Sequence, residues 1–333
     1  MQEGEYADLL RFLRTWWSDD EYMQVQTSGS TGTPKQLRVS KTSMMQSARA
    51  TCSFFGLDTS DTALLCMDLR YIGAMMLVVR CLVSGMKLIV RTPCSNPLLH
   101  VEEAISFTAL VPLQAGEILS NEVSKGRLCQ IKHVIIGGGS LDISLEDALS
   151  VLPNSIYSTY GMTETLSHIA LRKVSGRDTS AYYSPLHGVS LSLSDRGTLC
   201  IDAPLIIPEP LETNDIADLC PDGRFRILGR SDNIINSGGI KIQLERVEYE
   251  LSRLCPMPTA LTWRPDRRLG QALVLVAEGE SSDDETMLLA RFKSCLPRYH
   301  CPKAVIYIPK LPRLPSGKLD RLALMSLAQT ESK

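Results

Sequence analysis

The chain has almost no net charge: 35 Lys and Arg stand against 37 Asp and Glu, leaving a balance of -2. No overall field draws it to nucleic acid or to an anionic membrane, so any phosphate it binds must be held locally. Its ten cysteines contain no CxxC pair and sit in no short secreted framework. Metal and disulfide readings lose support, and reduced, mostly core thiols are expected. His100, His133, His187 and His300 offer no spaced metal constellation. Long apolar runs are missing too: Tyr71 to Val79 is bounded by Arg70 and Arg80, far short of the roughly 20 residues that span a bilayer. Met1 to Asp20 carries Glu3, Glu5, Asp8, Arg11 and Arg14, which excludes a signal peptide and points to the cytoplasm. Internal repeats and low-complexity segments are absent.

What remains is an ordinary globular composition, 44% hydrophobic and 22% charged, with enough apolar surface to offset the chain entropy lost on folding. At 333 residues the length favours two domains. From Thr62 to about Gly139 short apolar runs alternate with helical stretches, the order of an α/β fold with strands beneath crossover helices. TALLCM (62 to 67) and KLIVR (87 to 91) read as strands around an apolar helix, 71 to 85, and IKHVII (131 to 136) is a strand running into Gly137, Gly138 and Gly139. Beyond Ser190 short strands punctuated by turns suggest a small antiparallel subdomain. Helices are expected at 244 to 254 and 283 to 296, strands at 271 to 277 and 304 to 308, and a short helix after Lys318. These elements make a smaller α+β domain, so the expected division is 1 to 231 for a large, multi-layered domain and 232 to 333 for a small mobile one.

The most informative stretch is Thr27-Ser28-Gly29-Ser30-Thr31-Gly32-Thr33-Pro34-Lys35. Hydroxyls and glycines at this density give a backbone free to curl and many outward donors, which suits a polyphosphate. No Gly-Lys-Ser/Thr follows at Walker A spacing. Alone, the stretch could equally be a Ser/Gly linker. Further along come Tyr160-Gly161-Met162-Thr163-Glu164-Thr165, Thr213-Asn214-Asp215, Gly229-Arg230-Ser231-Asp232, Ser237-Gly238-Gly239-Ile240-Lys241 and Leu314-Pro315-Ser316-Gly317-Lys318-Leu319-Asp320-Arg321. In this order the segments resemble the motifs of the adenylate-forming superfamily, which includes acyl-CoA synthetases, luciferases and the adenylation domains of peptide synthetases.

The resemblance implies a ligase that uses ATP, Mg²⁺ and coenzyme A to activate a small-molecule carboxylic acid, with no nucleic-acid partner and no membrane span; a homodimer is left open. It assigns the phosphate loop to Thr27 through Thr33 and Lys35, and the adenine turn to Gly137, Gly138 and Gly139. Tyr160 would stack on adenine, with Ser158, Gly161, Met162 and Ile227 also at nucleotide-contacting positions. Thr163 would touch the α-phosphate and Glu164 would bind Mg²⁺, where a hard cation wants carboxylate oxygen. Asp215 would hold the ribose hydroxyls and Arg230 would contact the nucleotide. Asp232 is the implied hinge, Gly238, Gly239 and Lys241 line the implied pantetheine tunnel, and Lys318 is the implied catalytic lysine. Asn214 replaces the family's glycine, Leu244 its proline and Arg246 its glutamate. Only 26 residues precede Thr27, where the family carries a longer N-terminal region.

Within the superfamily, Thr163-Glu164-Thr165-Leu166-Ser167-His168-Ile169-Ala170 is most similar to the o-succinylbenzoate-CoA ligase family of menaquinone synthesis. An acid with a ring and two carboxylates calls for an apolar slot plus a cation or donors. Arg70, Tyr71, Ser167 and His168 are the candidates. Arg70 is either a carboxylate anchor or an exposed charge at a helix start, and His168 either contacts substrate or packs in a mixed core. Two rivals remain: an adenylating enzyme that loads a carrier protein, and a nucleotide-binding module without turnover.

Overall fold

The computed structural model describes residues 6–26, 36–255, 257–280, 285–314 and 318–330. By packing, the chain divides into two units: one of Met1–Ser192, Cys200–Leu211 and Leu219–Arg226, the other of Leu193–Leu199, Glu212–Asp218 and Ile227–Lys333. Among the described residues no helix is long and apolar enough to cross a membrane.

The first unit opens with α1 (Ala7–Trp16) and the strands β1 (Tyr22–Gln26) and β2 (Gln36–Ser40). These two strands pair antiparallel with Gln26 opposite Gln36, so the chain leaves and re-enters at one place around residues 27–35. There follow α2 (Lys41–Phe55), β3 (Thr62–Leu65), α3 (Ile72–Ser84), β4 (Lys87–Val90), β5 (Phe107–Leu110), α4 (Pro112–Leu119), α5 (Glu122–Gln130), β6 (His133–Ile136), α6 (Ile143–Ser150), β7 (Ser155–Gly161), β8 (His168–Lys173) and β9 (Ser184–Pro185). The strands form one sheet in the order β4-β3-β5-β6-β7-β8-β9. Pairing is parallel from β4 to β7 and antiparallel beyond. The strands from β3 to β6 are short, apolar runs, joined by helices except between β4 and β5, as expected for strands covered on both faces. One core unites Leu64, Leu110, Val134, Ile136 and Ile156 of the sheet with Ala115, Ile118, Leu128 and Leu149 of α4, α5 and α6.

The apolar stretch after Tyr71 folds as the expected helix. Helices α2, α5 and α6 carry polar faces that dilute the apolar period, and α4 is only eight residues long, so none is marked by the sequence pattern; Ser40, Asn121 and Asp142 cap three of the four through their side chains.

Four strands, β10 (Ser190–Leu193), β11 (Thr198–Asp202), β12 (Leu211–Leu219) and β13 (Phe225–Arg230), form a separate sheet in that order. The second unit continues through a 3₁₀ turn at Ser231–Asn233, β14 (Ile234–Ser237), β15 (Ile240–Gln243), α7 (Leu244–Ser252), β16 (Thr259–Asp266), β17 (Gly270–Glu278), α8 (Glu285–Cys295), β18 (Ala304–Ile308) and α9 (Arg321–Thr330). Its sheet runs β15-β14-β17-β16, with β18 parallel to β17. Ile242, Val247, Leu251, Leu261, Leu275 and Phe292 pack one face, and Val274, Val276, Leu324 and Ala328 the other. Leu244, which stands in place of the family's proline, is the first residue of α7 and lies in the core.

Candidate active site

In a parallel sheet, ligands are expected beyond the carboxyl ends of the strands. Along that edge of the first unit lie Asp68 to Tyr71 after β3, Gly137 to Gly139 after β6, and Met162 to Ser167 after β7. β6 and β7 are neighbours, with Ile136 opposite Ser158, so the glycine turn and the Tyr160–Glu164 segment leave the sheet side by side. Tyr71 pairs with Gln26 in an isolated parallel bridge, which brings the start of α3 beside the last residue before the expected phosphate loop. Thr27, Ser28, Gly29, Ser30, Thr31, Gly32, Thr33 and Lys35 themselves lie outside the described residues.

Tyr160 meets the edge of Phe225 at 5.1 Å and Tyr183 at 6.0 Å, while Tyr183 and Phe225 stack at 5.5 Å. Such ring pairs fix the plane of Tyr160. Ser158 is buried, and its hydroxyl bonds that of Tyr183 at 2.8 Å. Ser158 thus braces the aromatic cluster from beneath.

The loop after β7 is held tightly. Gly161 has no room for a side chain, because a Cβ there would lie 2.2 Å from the Ser167 carbonyl oxygen. Thr165 is fully buried; its hydroxyl accepts from the Met162 N–H at 3.0 Å and lies 2.8 Å from the Ser167 carbonyl oxygen and 3.1 Å from that of Met162. Leu166, buried, takes φ 64°, a left-handed conformation that costs a non-glycine residue about 1–2 kcal/mol. Several hydrogen bonds at about 1 kcal/mol each offset it. The loop buries Thr163 and presents Glu164, which is exposed and makes no hydrogen bond or ion pair among the described residues. No group of three or more His, Cys, Asp or Glu among the described residues could hold a metal. One free carboxylate suits Mg²⁺, which is typically held by one or two carboxylates plus substrate phosphates. Glu164 is the residue that would hold the ion, and the ion would neutralise charge on the phosphates.

Of the four acid-site candidates, Arg70 lies on the surface, its Nε and Nη2 donating to Asp68 at 2.8 and 2.5 Å. His168 is buried, Nε2 lying 3.0 Å from the Thr51 hydroxyl. Burial, reinforced by the charge of Arg80, holds its pKa well below the usual imidazole value. Ser167 accepts from Arg80 Nη2 at 2.6 Å.

Arg80 is the residue that the sequence reading missed. It is only 1% exposed, no carboxylate among the described residues pairs with it, and its buried Nε has no hydrogen-bond partner. Burial pulls its pKa down to about 10. The available signal is a lone arginine inside the apolar face of α3, beside Met76, Leu77 and Cys81.

The second unit gathers Asp215, Arg230 and Asp232. Arg230 donates to Asp215 through Nη1 at 3.1 Å and to Asp232 through Nε at 2.9 Å and Nη2 at 2.7 Å. Asp215 is itself buried, and its N–H is received by the Thr213 hydroxyl. The hydrogen bonds that Arg230 donates to Asp232 are the largest of the influences that raise its pKa. Ile227 is half-buried on β13 of the same unit. Gly238 and Gly239 join β14 to β15 with φ of +61° and +86°, the left-handed pair typical of a two-residue hairpin turn. Lys241 follows on β15, exposed. Arg246 is exposed on α7 and lies 3.6 Å from Glu250. Lys318 ends a segment closed by the Leu314 N–H to Lys318 carbonyl bond at 2.8 Å and by the pairing of Arg313 with Leu319. Residues 315–317 lie outside the described residues. Arg321 anchors the start of α9 by a two-pronged bond to Glu248 at 2.7 Å.

The sheet and the segments along its carboxyl edge are those of an α/β fold, and the AMP-binding enzyme family matches residues 13–203. The chain belongs to that family. It is similar to a probable 2-succinylbenzoate–CoA ligase of Mycobacterium tuberculosis, 27% identical over 92% of this chain and 84% of that one. The crystal structure of an acyl-CoA synthetase (AMP-forming)/AMP-acid ligase II-like protein from Dyadobacter fermentans is 32% identical, with a TM-score of 0.66 over 97% of this chain and 94% of that one. O-succinylbenzoate coenzyme A synthetase from Bacillus subtilis, solved with ATP and magnesium ion, shares the fold with a TM-score of 0.77 at 20% identity, over 90% and 69% of the two chains.

Proposed function

We propose that this chain is an ATP-dependent acid–CoA ligase working in the cytoplasm through an acyl-adenylate, and that its acid is 2-succinylbenzoate. The class is supported by the family, by the motif order and by Glu164, presented alone at the strand edge. Arg80 carries the choice of acid. A buried, unpaired charge is costly by several kcal/mol and is ordinarily neutralised by a partner. Arg80 keeps an unused N–H instead, which suits a substrate that supplies a second carboxylate. The named activity of the Mycobacterium tuberculosis and Bacillus subtilis relatives agrees with this choice.

In the first step the carboxylate oxygen attacks the α-phosphorus of ATP and pyrophosphate leaves. Thr163 and Lys318 stabilise the oxygens on which charge builds, and Tyr160 holds the base. In the second step the thiol sulfur of CoA attacks the acyl carbon, the thiol proton is lost and AMP leaves. We assign the exchange of Lys318 for the Gly238–Gly239 turn between the steps to a rotation about Asp232, an element terminus that can absorb a change of φ and ψ.

Acid-dependent ATP–pyrophosphate exchange with 2-succinylbenzoate, benzoate, a fatty acid and amino acids tests the reading. Exchange led by 2-succinylbenzoate is expected. Exchange with fatty or amino acids alone would remove the acid and leave the class.

A further inference from the structure

Four polar side chains from three elements meet beneath the Glu164 loop. Arg80 Nη2 lies 2.6 Å from Ser167 Oγ, Ser167 Oγ 3.4 Å from His168 Nδ1, His168 Nε2 3.0 Å from Thr51 Oγ1, and Thr51 Oγ1 3.3 Å from the Ser47 carbonyl oxygen. Arg80, Thr51 and His168 are all at least nine-tenths buried, and Ser167 is half-buried. We propose that His168 is a positioning residue for acid recognition: as a neutral imidazole it orients the Ser167 hydroxyl, which holds the Arg80 guanidinium with its Nε N–H free for the acid's second carboxylate.

Within these four contacts the hydrogens can be assigned by donor and acceptor capacity. A guanidinium only donates, so Ser167 Oγ accepts from Arg80 and points its own hydrogen at His168 Nδ1. Nδ1 must then be bare, and a neutral ring carries its proton on Nε2, which donates to Thr51. The single hydrogen of Thr51 goes on to the Ser47 carbonyl oxygen. The opposite tautomer would require Thr51 to donate to both His168 and Ser47 with one hydrogen, and would leave the Ser167 hydrogen unplaced. Burial and the nearby Arg80 charge keep the doubly protonated ring out of reach at neutral pH. Thr51 lies on α2 and touches neither Arg80 nor the Glu164 loop in any hydrogen bond, yet it selects the tautomer on which the arrangement depends.

This inference rests on the reading of Arg80 as the carboxylate anchor, and the experiment separates the two. Kinetics of adenylation are measured for 2-succinylbenzoate and for its two singly deleted analogues, 4-oxo-4-phenylbutanoate and 2-butanoylbenzoate; the analogue that keeps the reacting carboxylate serves as reference. The preference of kcat/KM for the diacid over the reference is compared in the parent, Thr51→Val, Thr51→Ser, His168→Gln and Arg80→Gln proteins. Thr51→Val and His168→Gln should lower the preference about tenfold, the worth of one hydrogen bond to a charged group. Thr51→Ser should restore it, and KM for ATP should change less than twofold throughout. Unchanged preference in Thr51→Val with a collapsed preference in Arg80→Gln would overturn the relay alone. Unchanged preference in Arg80→Gln would overturn the anchor itself, and the relay with it. Long-range ¹H–¹⁵N correlation in the parent protein needs no variant: the Nε2–H tautomer of His168 is expected, and the Nδ1–H tautomer or an imidazolium would overturn the inference.

Discussion

The loop that presents Glu164 and the segment that ends at Lys318 are both short connections to which the proposed mechanism gives one charge, and it asks different things of each. The Glu164 loop has a buried threonine hydroxyl among three backbone groups, a glycine that admits no Cβ and a leucine held at φ 64°. Lys318 stands at a stem joined by two backbone hydrogen bonds, Leu314 N–H to the Lys318 carbonyl and Asp320 N–H to the Pro312 carbonyl. A metal-holding carboxylate gains from pre-organisation, because any looseness is subtracted from charge stabilisation. A lysine needed in only one of two half-reactions gains from being able to leave.

The sharpest way to break this comparison is Lys318→Ala. Adenylation should fall about a thousandfold, the scale for losing a donor that meets charge developing in the transition state, while thioester formation from supplied acyl-adenylate stays within twofold. Equal losses in both steps would erase the distinction. Next comes Glu164→Gln, for which pyrophosphate exchange should fall about a hundredfold and the Mg²⁺ concentration for half-maximal rate should rise. Thr165→Val keeps the volume and strands a buried N–H; it should cost about 1–3 kcal/mol in urea unfolding and slow adenylation about tenfold. No effect on rate would mean that the loop needs no clamp. The smallest effect concerns acid. His168 is buried and neutral, with its pKa depressed, so the unfolded chain binds the extra proton. Its contribution to stability is complete above about pH 6.5 and is lost as pH falls below that; His133, lowered chiefly by burial, acts in the same direction. Urea midpoints at pH 7.5 and 5.5 should therefore differ more in the parent than in His168→Gln.

The features legible in the sequence were those set by local chemistry. Apolar runs gave β3, β4 and β6, and the period after Tyr71 gave α3, because each is buried by its own pattern. The Gly137–Gly139 segment could be placed after a strand, and the sheet order then makes it a neighbour of Tyr160–Glu164. Arg80, Thr51 and Thr165 were not legible. The proposed role of Arg80 depends on Ser167, 87 positions further on, and that of Thr51 on a contact with His168 spanning 117 positions. No local pattern encodes such contacts. Thr165 looked like part of a motif, whereas its hydroxyl is an internal brace.

The central claim is tested most directly by mass spectrometry of a reaction containing the protein, 2-succinylbenzoate, ATP and Mg²⁺ without CoA. The account predicts the mixed anhydride of 2-succinylbenzoate with AMP, bound at up to one per chain, and its conversion to the CoA thioester and AMP when CoA is added. ADP as the nucleotide product, or no adenylate in the presence of intact protein and ATP, would contradict it.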